Sequence, residues 1–224
     1  RDSYYPSGQI EEITTYSNGV KVSEVRYFEN GEMQLSRSYD TNGKKHGAWL
    51  EWHDNGQLAI ERHHVHGEKE GKWVKYYPSG QVASLDHFLN DSPVGQSIGY
   101  WENGEIALRQ TWDSQGLYHG AVLYWNENGQ LLFESHYVHG EKEGKSISYD
   151  VSGKVTWEAD YVGGKLEGKE YTYYENGQVM WEASFVDGKL VGKWIHYDED
   201  GNIADEDIYE NGVCIEMCEG DEDE

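Results

Sequence analysis

The chain of 224 residues sets 42 acidic against 18 basic side chains, a formal charge of −24 that repels phosphate backbones and anionic headgroups and argues against nucleic acid and bare membrane as partners. Hydrophobic residues, at 37%, fall short of the roughly 45–50% from which ordinary globular chains build a thick core, while 18 tyrosines, 9 tryptophans and 4 phenylalanines exclude wholesale disorder. No stretch approaches the roughly 18–20 apolar residues of a bilayer span, and 27 glycines against 3 prolines point to repetition.

Along the chain, Gly8, Gly31, Gly56, Gly80, Gly104, Gly129, Gly153, Gly177 and Gly201 recur every 23 to 25 residues, giving nine repeats. Let each of these glycines be position zero of its repeat. Position −4 is aromatic in all nine, from Tyr4 and Tyr27 to Tyr173 and Tyr197. Position +2 is Ile, Leu, Val or Met, from Ile10 to Ile203, and position +8 is aromatic from Tyr16 to Tyr209, with His64 in its place in repeat 3. Apolar residues thus favour even positions over arms of about five to eight residues, the period of a β-strand. A second glycine set, including Gly19, Gly67 and Gly140, follows 11 or 12 residues later, and a third, including Gly71, Gly144 and Gly192, stands 9 before zero. Residues 1–218 therefore read as one repeat domain and residues 219–224 as an acidic tail.

Strings such as Asn176-Gly177 invite a two-residue hairpin loop, but that would pair −4 with +3 and separate the aromatic and aliphatic columns. A three-residue loop pairs −4 with +2 and −6 with +4, leaving the even apolar columns on one face. The glycine then takes the left-handed conformation of a type I turn with a G1 bulge, and Pro6 and Pro78 at −2 suit the fixed φ of that turn. The expected fold is all-β: an elongated single-layer antiparallel sheet of about nine stacked β-hairpins, about 85 Å long at about 4.8 Å per strand.

Arg1 is not a methionine, so the compartment stays open: periplasm or envelope if a leader was removed, otherwise bacterial cytoplasm. In repeat 3, His63, His64 and His66 cluster, but His63 and His64 point to opposite strand faces, and His63 and His87 stand a repeat apart, about 9.5 Å. No metal and no cofactor is expected. His66 and His139 fall in a turn column rich in Asn and Asp, inside the duplicated string VHGEKEGK. Repeat 4 breaks its connector with Asp91-Ser92-Pro93. Large aromatics at odd positions, where the alternation predicts water, are Tyr77 and Trp101 at −3, Tyr124 at −5, and Trp49, Trp73 and Trp194 at −7. They form either a binding patch or part of a sheet covered on both faces, and those at −7 have the further option of folding inward at the glycine joint. Glu61, Glu134, Glu158, Glu182 and Glu206 recur at +5, expected opposite the even face, as a solvated row or as partners for lysines. Carboxylates that recur with the lattice argue against an enzyme. Cys214 and Cys218 reach disulfide range only if the chain turns sharply between them; the alternative is two free thiols.

The string Gly192-Lys193-Trp194-Ile195-His196-Tyr197 through Gly201 resembles the bacterial variant of the MORN repeat, as do Gly71-Lys72-Trp73 through Gly80-Gln81 and Gly168-Lys169 through Gly177-Gln178. The resemblance runs from residue 4 to about residue 213. Repeat 1 departs from it by lacking its leading glycine, repeat 3 by its histidine, and repeat 4 by its connector. Proteins built mainly of this variant resemble the YwqK-type antitoxins, which implies an immunity protein that binds a cognate toxin; the eukaryotic members imply instead a structural scaffold or envelope-associated interaction protein. The expected role is that of a non-enzymatic binding module for a basic toxin or effector, without nucleic acid and without insertion into a membrane. The expected binding centre is Tyr77, Trp101 and Tyr124, with Glu102 to orient a basic partner.

Overall fold

The computed structural model describes residues 1–216 and Cys218, and the acidic tail expected over 219–224 lies outside the described residues. The chain forms two compact halves, Arg1–Leu117 and Tyr118–Glu224. Strands in the first half are β1 (Asp2–Tyr4), β2 (Ile10–Ser17), β3 (Val20–Tyr27), β4 (Met33–Tyr39), β5 (Lys45–Trp52), β6 (Leu58–Val65), β7 (Glu68–Lys69), β8 (Gly71–Tyr76), β9 (Val82–Leu89), β10 (Ser92–Pro93), β11 (Gly95–Tyr100) and β12 (Ile106–Trp112). Those in the second are β13 (Gly120–Trp125), β14 (Leu131–Val138), β15 (Glu141–Lys142), β16 (Gly144–Tyr149), β17 (Val155–Val162), β18 (Lys165–Tyr173), β19 (Val179–Val186), β20 (Lys189–Leu190), β21 (Gly192–Tyr197), β22 (Ile203–Glu210) and β23 (Val213–Glu216). Each half is an open antiparallel sheet in hairpin order, as in β5–β6–β8–β9–β11–β12 and β16–β17–β18–β19–β21–β22. No helix occurs among the described residues.

The hairpin loops have the expected three residues. In repeat 6, the Gly129 amide donates to the Asn126 carbonyl and the Asn126 amide to the Gln130 carbonyl, both at 3.0 Å. The Asn126 side-chain oxygen accepts the Asn128 and Gln130 amides, fixing the turn from inside. Gly129 has φ of 78°, in the region where a Cβ meets the backbone. Gly129→Val is therefore expected to destabilise the second half by about 1–2 kcal/mol or more; a urea midpoint equal to wild type would contradict the turn.

Connectors between repeats use the two-residue turn that the hairpins reject. His66-Gly67, His139-Gly140, Asp187-Gly188 and Asn211-Gly212 all have positive φ at both positions. The connector of repeat 4, expected to be broken, keeps this geometry without glycine. Asn90 and Asp91 take φ of 48° and 68°, and the Asp91 carboxylate accepts the Lys69 amide at 2.7 Å. Asp tolerates the left-handed region because its side chain bonds nearby backbone. Two connectors are one residue longer: Gly43 N donates to Asp40 O, and Gly116 N to Asp113 O, closing three-residue loops.

One feature of the register overturns the expected faces. Trp125 pairs with Leu131 as predicted, −4 with +2, but Tyr124 then pairs with Phe133, so Leu132 at +3 has no opposite residue. The same bulge occurs in all nine hairpins. One inserted residue reverses the alternation beyond it. Positions +4, +6 and +8 therefore share a face with −5 and −7, here termed the tryptophan face, while +2 and +5 join −4, −6 and −8 on a tyrosine face. Both faces bury side chains. On the tryptophan face, Ser146 at −7 and Ala159 at +6 lie directly opposite each other and are essentially inaccessible, and on the tyrosine face Val74 at −6 is 2% exposed.

Near the end of the second half the Cys214 and Cys218 Cα atoms lie 6.2 Å apart, within the span that a disulfide bridges.

Candidate functional site

The glutamates at +5 stand on the tyrosine face, not opposite it, because the bulge at +3 moves them there. Four of the five are held by the tyrosine at −4 of the following repeat: Tyr149 Oη donates to Glu134 at 2.6 Å, Tyr173 Oη to Glu158 at 3.0 Å, Tyr197 Oη to Glu182 at 3.3 Å and Tyr76 Oη to Glu61 at 3.4 Å. Where −8 is lysine, that ammonium adds a charge-assisted bond from the other side. Lys145 meets Glu158 at 3.2 Å, Lys193 meets both oxygens of Glu206, and Lys169 meets Glu182. Burial, and then the bond to glutamate, pushes the Tyr149 and Tyr173 hydroxyls up to about 12. The expected lysine partnership is thus present, and these carboxylates serve as links between neighbouring strands.

On the tryptophan face of the first half, Tyr39, Trp49, His64, Trp73 and Phe88 form a continuous ladder. Successive ring centroids are 5.4, 5.1, 5.2 and 4.9 Å apart. Cations line its rim, with Arg37 and Lys45 over Trp49, and Arg62 and Lys69 over Trp73. Trp49 and Trp73, expected in water unless folded inward, are core and half-buried respectively. His64 is 3% exposed, and its Nδ1 is buried without a hydrogen-bond partner. Burial first, then Lys45 and Arg62, lowers its pKa to about 4. His66 does not join it; its ring meets Asp40 at 2.9 Å on the connector side. In the second half, Trp181 stacks on both Trp194 and His196, at 4.5 and 4.0 Å.

The residues expected to bind a partner fall into different settings. Tyr77 is half-buried, and its hydroxyl donates to the Tyr100 carbonyl of the next repeat at 2.7 Å, so this ring is a strut as well as a surface. Position −3 begins the turn, where strand parity no longer decides which side faces water. Trp101, in the corresponding turn of repeat 5, is half-buried and makes contacts of its own, and Glu102 beside it is exposed. In the second half, Tyr124 is 46% exposed, its ring 6.4 Å from that of Phe133.

A pocket missed at the level of sequence opens between the turns of repeats 4 and 5. It has a volume of about 340 Å³ and is lined by Lys72, Val74, Val82, Leu85 and Tyr100 among others. Its trace in the sequence is Leu85, which stands at +5 where the other repeats with lysine at −8 have glutamate.

Among the described residues no helix is long and apolar enough to cross a membrane, a statement that leaves strands aside. None of the curated proteins matches the chain. Two solved structures align with 94% of it: the crystal structure of TcdB2-TccC3, at 12% identity and a TM-score of 0.20, and that of TcdB2-TccC3-TEV, at 12% and 0.19. The chain spans 15% of the length of each of those chains. The sequence model of the MORN repeat variant matches residues 3–18, 45–66, 69–90, 118–139, 166–187 and 190–211, each longer segment running from the connector before a hairpin to the connector after it. With six copies of its unit recognised over more than half of the residues, and the hairpin geometry of that unit in all nine repeats, the chain belongs to the MORN repeat variant family.

Proposed function

We propose that this protein is a non-enzymatic immunity protein, an antitoxin that neutralises a cognate bacterial toxin by binding it directly. Repeats of this family are protein-interaction modules and generally lack catalysis. The observation that carries the reading is charge: residues 118–224 hold 25 acidic against 7 basic side chains, and residues 1–117 hold 17 against 11. A basic toxin or effector is the partner that such a surface attracts, with association that weakens as salt screens it. Recurrent carboxylates tied to tyrosine and lysine also support a structural rather than catalytic use of the acids. Co-expression with the product of the adjacent gene tests the proposal. Restored growth and a salt-sensitive complex support it; toxicity unrelieved by this protein, with no complex at low salt, sinks it.

Within the first half, the proposed contact surface is the turn edge of repeats 4 and 5, with Trp101 and Tyr77 as anchors and Glu102 as the orienting charge. Tyr124 is proposed as a separate contact on the second half. Trp101→Ala is expected to weaken toxin binding by about 2 kcal/mol with only a modest fall in melting temperature, in keeping with a half-buried ring. Calorimetric titration and a thermal melt on the same variant check both parts. Unchanged affinity moves the site elsewhere, and a large fall in melting temperature makes the ring a core residue.

A further inference from the structure

The tyrosine face contains its own template for an anion site. In repeat 7 the Glu158 carboxylate receives Lys145 at 3.2 Å from position −8 and the Tyr173 hydroxyl at 3.0 Å from the next repeat, with Asp160 at +7 a further 3.6 Å contact for the lysine. Repeats 8 and 9 likewise join a lysine at −8 to a glutamate at +5. Of the repeats with lysine at −8, repeat 4 alone lacks the acid: Leu85 stands at +5 and His87 at +7. The donors remain. Lys72 occupies the place of Lys145 and Tyr100 that of Tyr173, and both line the pocket of about 340 Å³ whose apolar wall is Val74, Val82 and Leu85. None of the lining residues is acidic, and among the described residues Lys72 forms no ion pair and the Tyr100 hydroxyl no hydrogen bond. Replacing a carboxylate arm with a shorter, uncharged leucine therefore leaves a cation, a hydroxyl donor and a hydrocarbon floor around one vacancy.

We propose that this pocket binds a small monocarboxylate with an apolar body, its carboxylate lying between Lys72 and Tyr100 where repeats 7 and 8 hold a glutamate side chain between the corresponding lysine and tyrosine, and its hydrocarbon part on Val74, Val82 and Leu85. The volume lies at the lower end of the range for small-molecule sites, about 300–1,000 Å³, and a mostly apolar wall with a few convergent polar groups is their usual composition. A charge-assisted bond from the ammonium together with a hydroxyl bond selects carboxylate over alcohol or amine. The proposal does not rest on the toxin-binding reading, and the pocket opens beside the turn edge assigned to toxin contact.

Hexanoate is a suitable probe, with hexanol and hexylamine as controls of equal tail length, followed by amide and methyl NMR shifts on the full chain. Hexanoate is expected to give saturable shifts centred on Lys72, Leu85 and Tyr100, and the controls none that saturate in the same range. Lys72→Met should weaken hexanoate by about tenfold or more, from loss of a charged hydrogen bond. Leu85→Glu supplies the missing carboxylate from within and should abolish binding without disturbing the sheet. Absence of saturable shifts with hexanoate overturns the proposal, as does equal binding of hexanol, or a Leu85→Glu variant that is folded and binds as wild type. If Leu85→Glu does not fold, Lys72→Met decides alone, because Lys72 is exposed; unchanged affinity in that variant overturns the site.

Discussion

Trp49→Ala is expected to lower the unfolding free energy of the first half by about 3–5 kcal/mol, the range for truncating a buried aromatic. Trp49 is 8% exposed and stands between the rings of Tyr39 and His64. Its indole N–H donates to the Ser38 carbonyl at 2.8 Å, so truncation removes packing and leaves an acceptor without its donor. The Arg37 and Lys45 stems, now laid over the ring, lose the surface they cover. Urea unfolding followed by circular dichroism measures the loss, and Trp49→Phe, which keeps most of the area but no N–H, should fall between alanine and wild type. A midpoint unchanged in Trp49→Ala would mean that the ladder is not a core.

Acid should weaken the same ladder through His64. Its pKa is about 4 in the folded chain, against about 6.5 for the exposed imidazole of the unfolded one. Between these values the unfolded state holds more protons, so stability is full above about pH 6.5, declines as pH falls to about 4, and gains no further loss from this group below that. The pKa gap corresponds to about 3 kcal/mol at most. His64→Phe keeps a ring between Trp49 and Trp73 and removes the titration, so its stability should vary less with pH across that window. If the two profiles run parallel from pH 6.5 to 4, His64 is not the cause of acid sensitivity.

The strands, the loop length and the pairing of −4 with +2 were legible in the glycine spacing, because left-handed turns leave few alternatives to glycine. The faces were not. Apolar residues continue at even positions on both sides of Leu132, so the sequence alternates without a break where the backbone inserts one residue. The glutamates at +5 and the tyrosines at −4 are therefore neighbours that parity assigns to opposite sides. Tyr77 escaped in another way: its hydroxyl reaches a carbonyl 23 residues on, a contact that no local pattern encodes. Leu85 was visible as one of four residues other than glutamate in its column, but its meaning depended on knowing that Lys72 and Tyr100 share its face.

Because every hairpin contains its own bulge, each 24-residue copy inverts and restores the parity of its side chains internally. The two 25-residue intervals place their additional residue in the connectors closed by Gly43 and Gly116, outside the paired arms. Duplication or deletion of one whole copy thus changes the length of a sheet without turning later residues inside out. A single extra residue is accommodated in the connectors closed by Gly43 and Gly116, whereas within an arm it would reverse the alternation beyond it, so such a gene can vary in copy number, and exchange one copy for another, while the surface chemistry of every remaining copy stays on its own side.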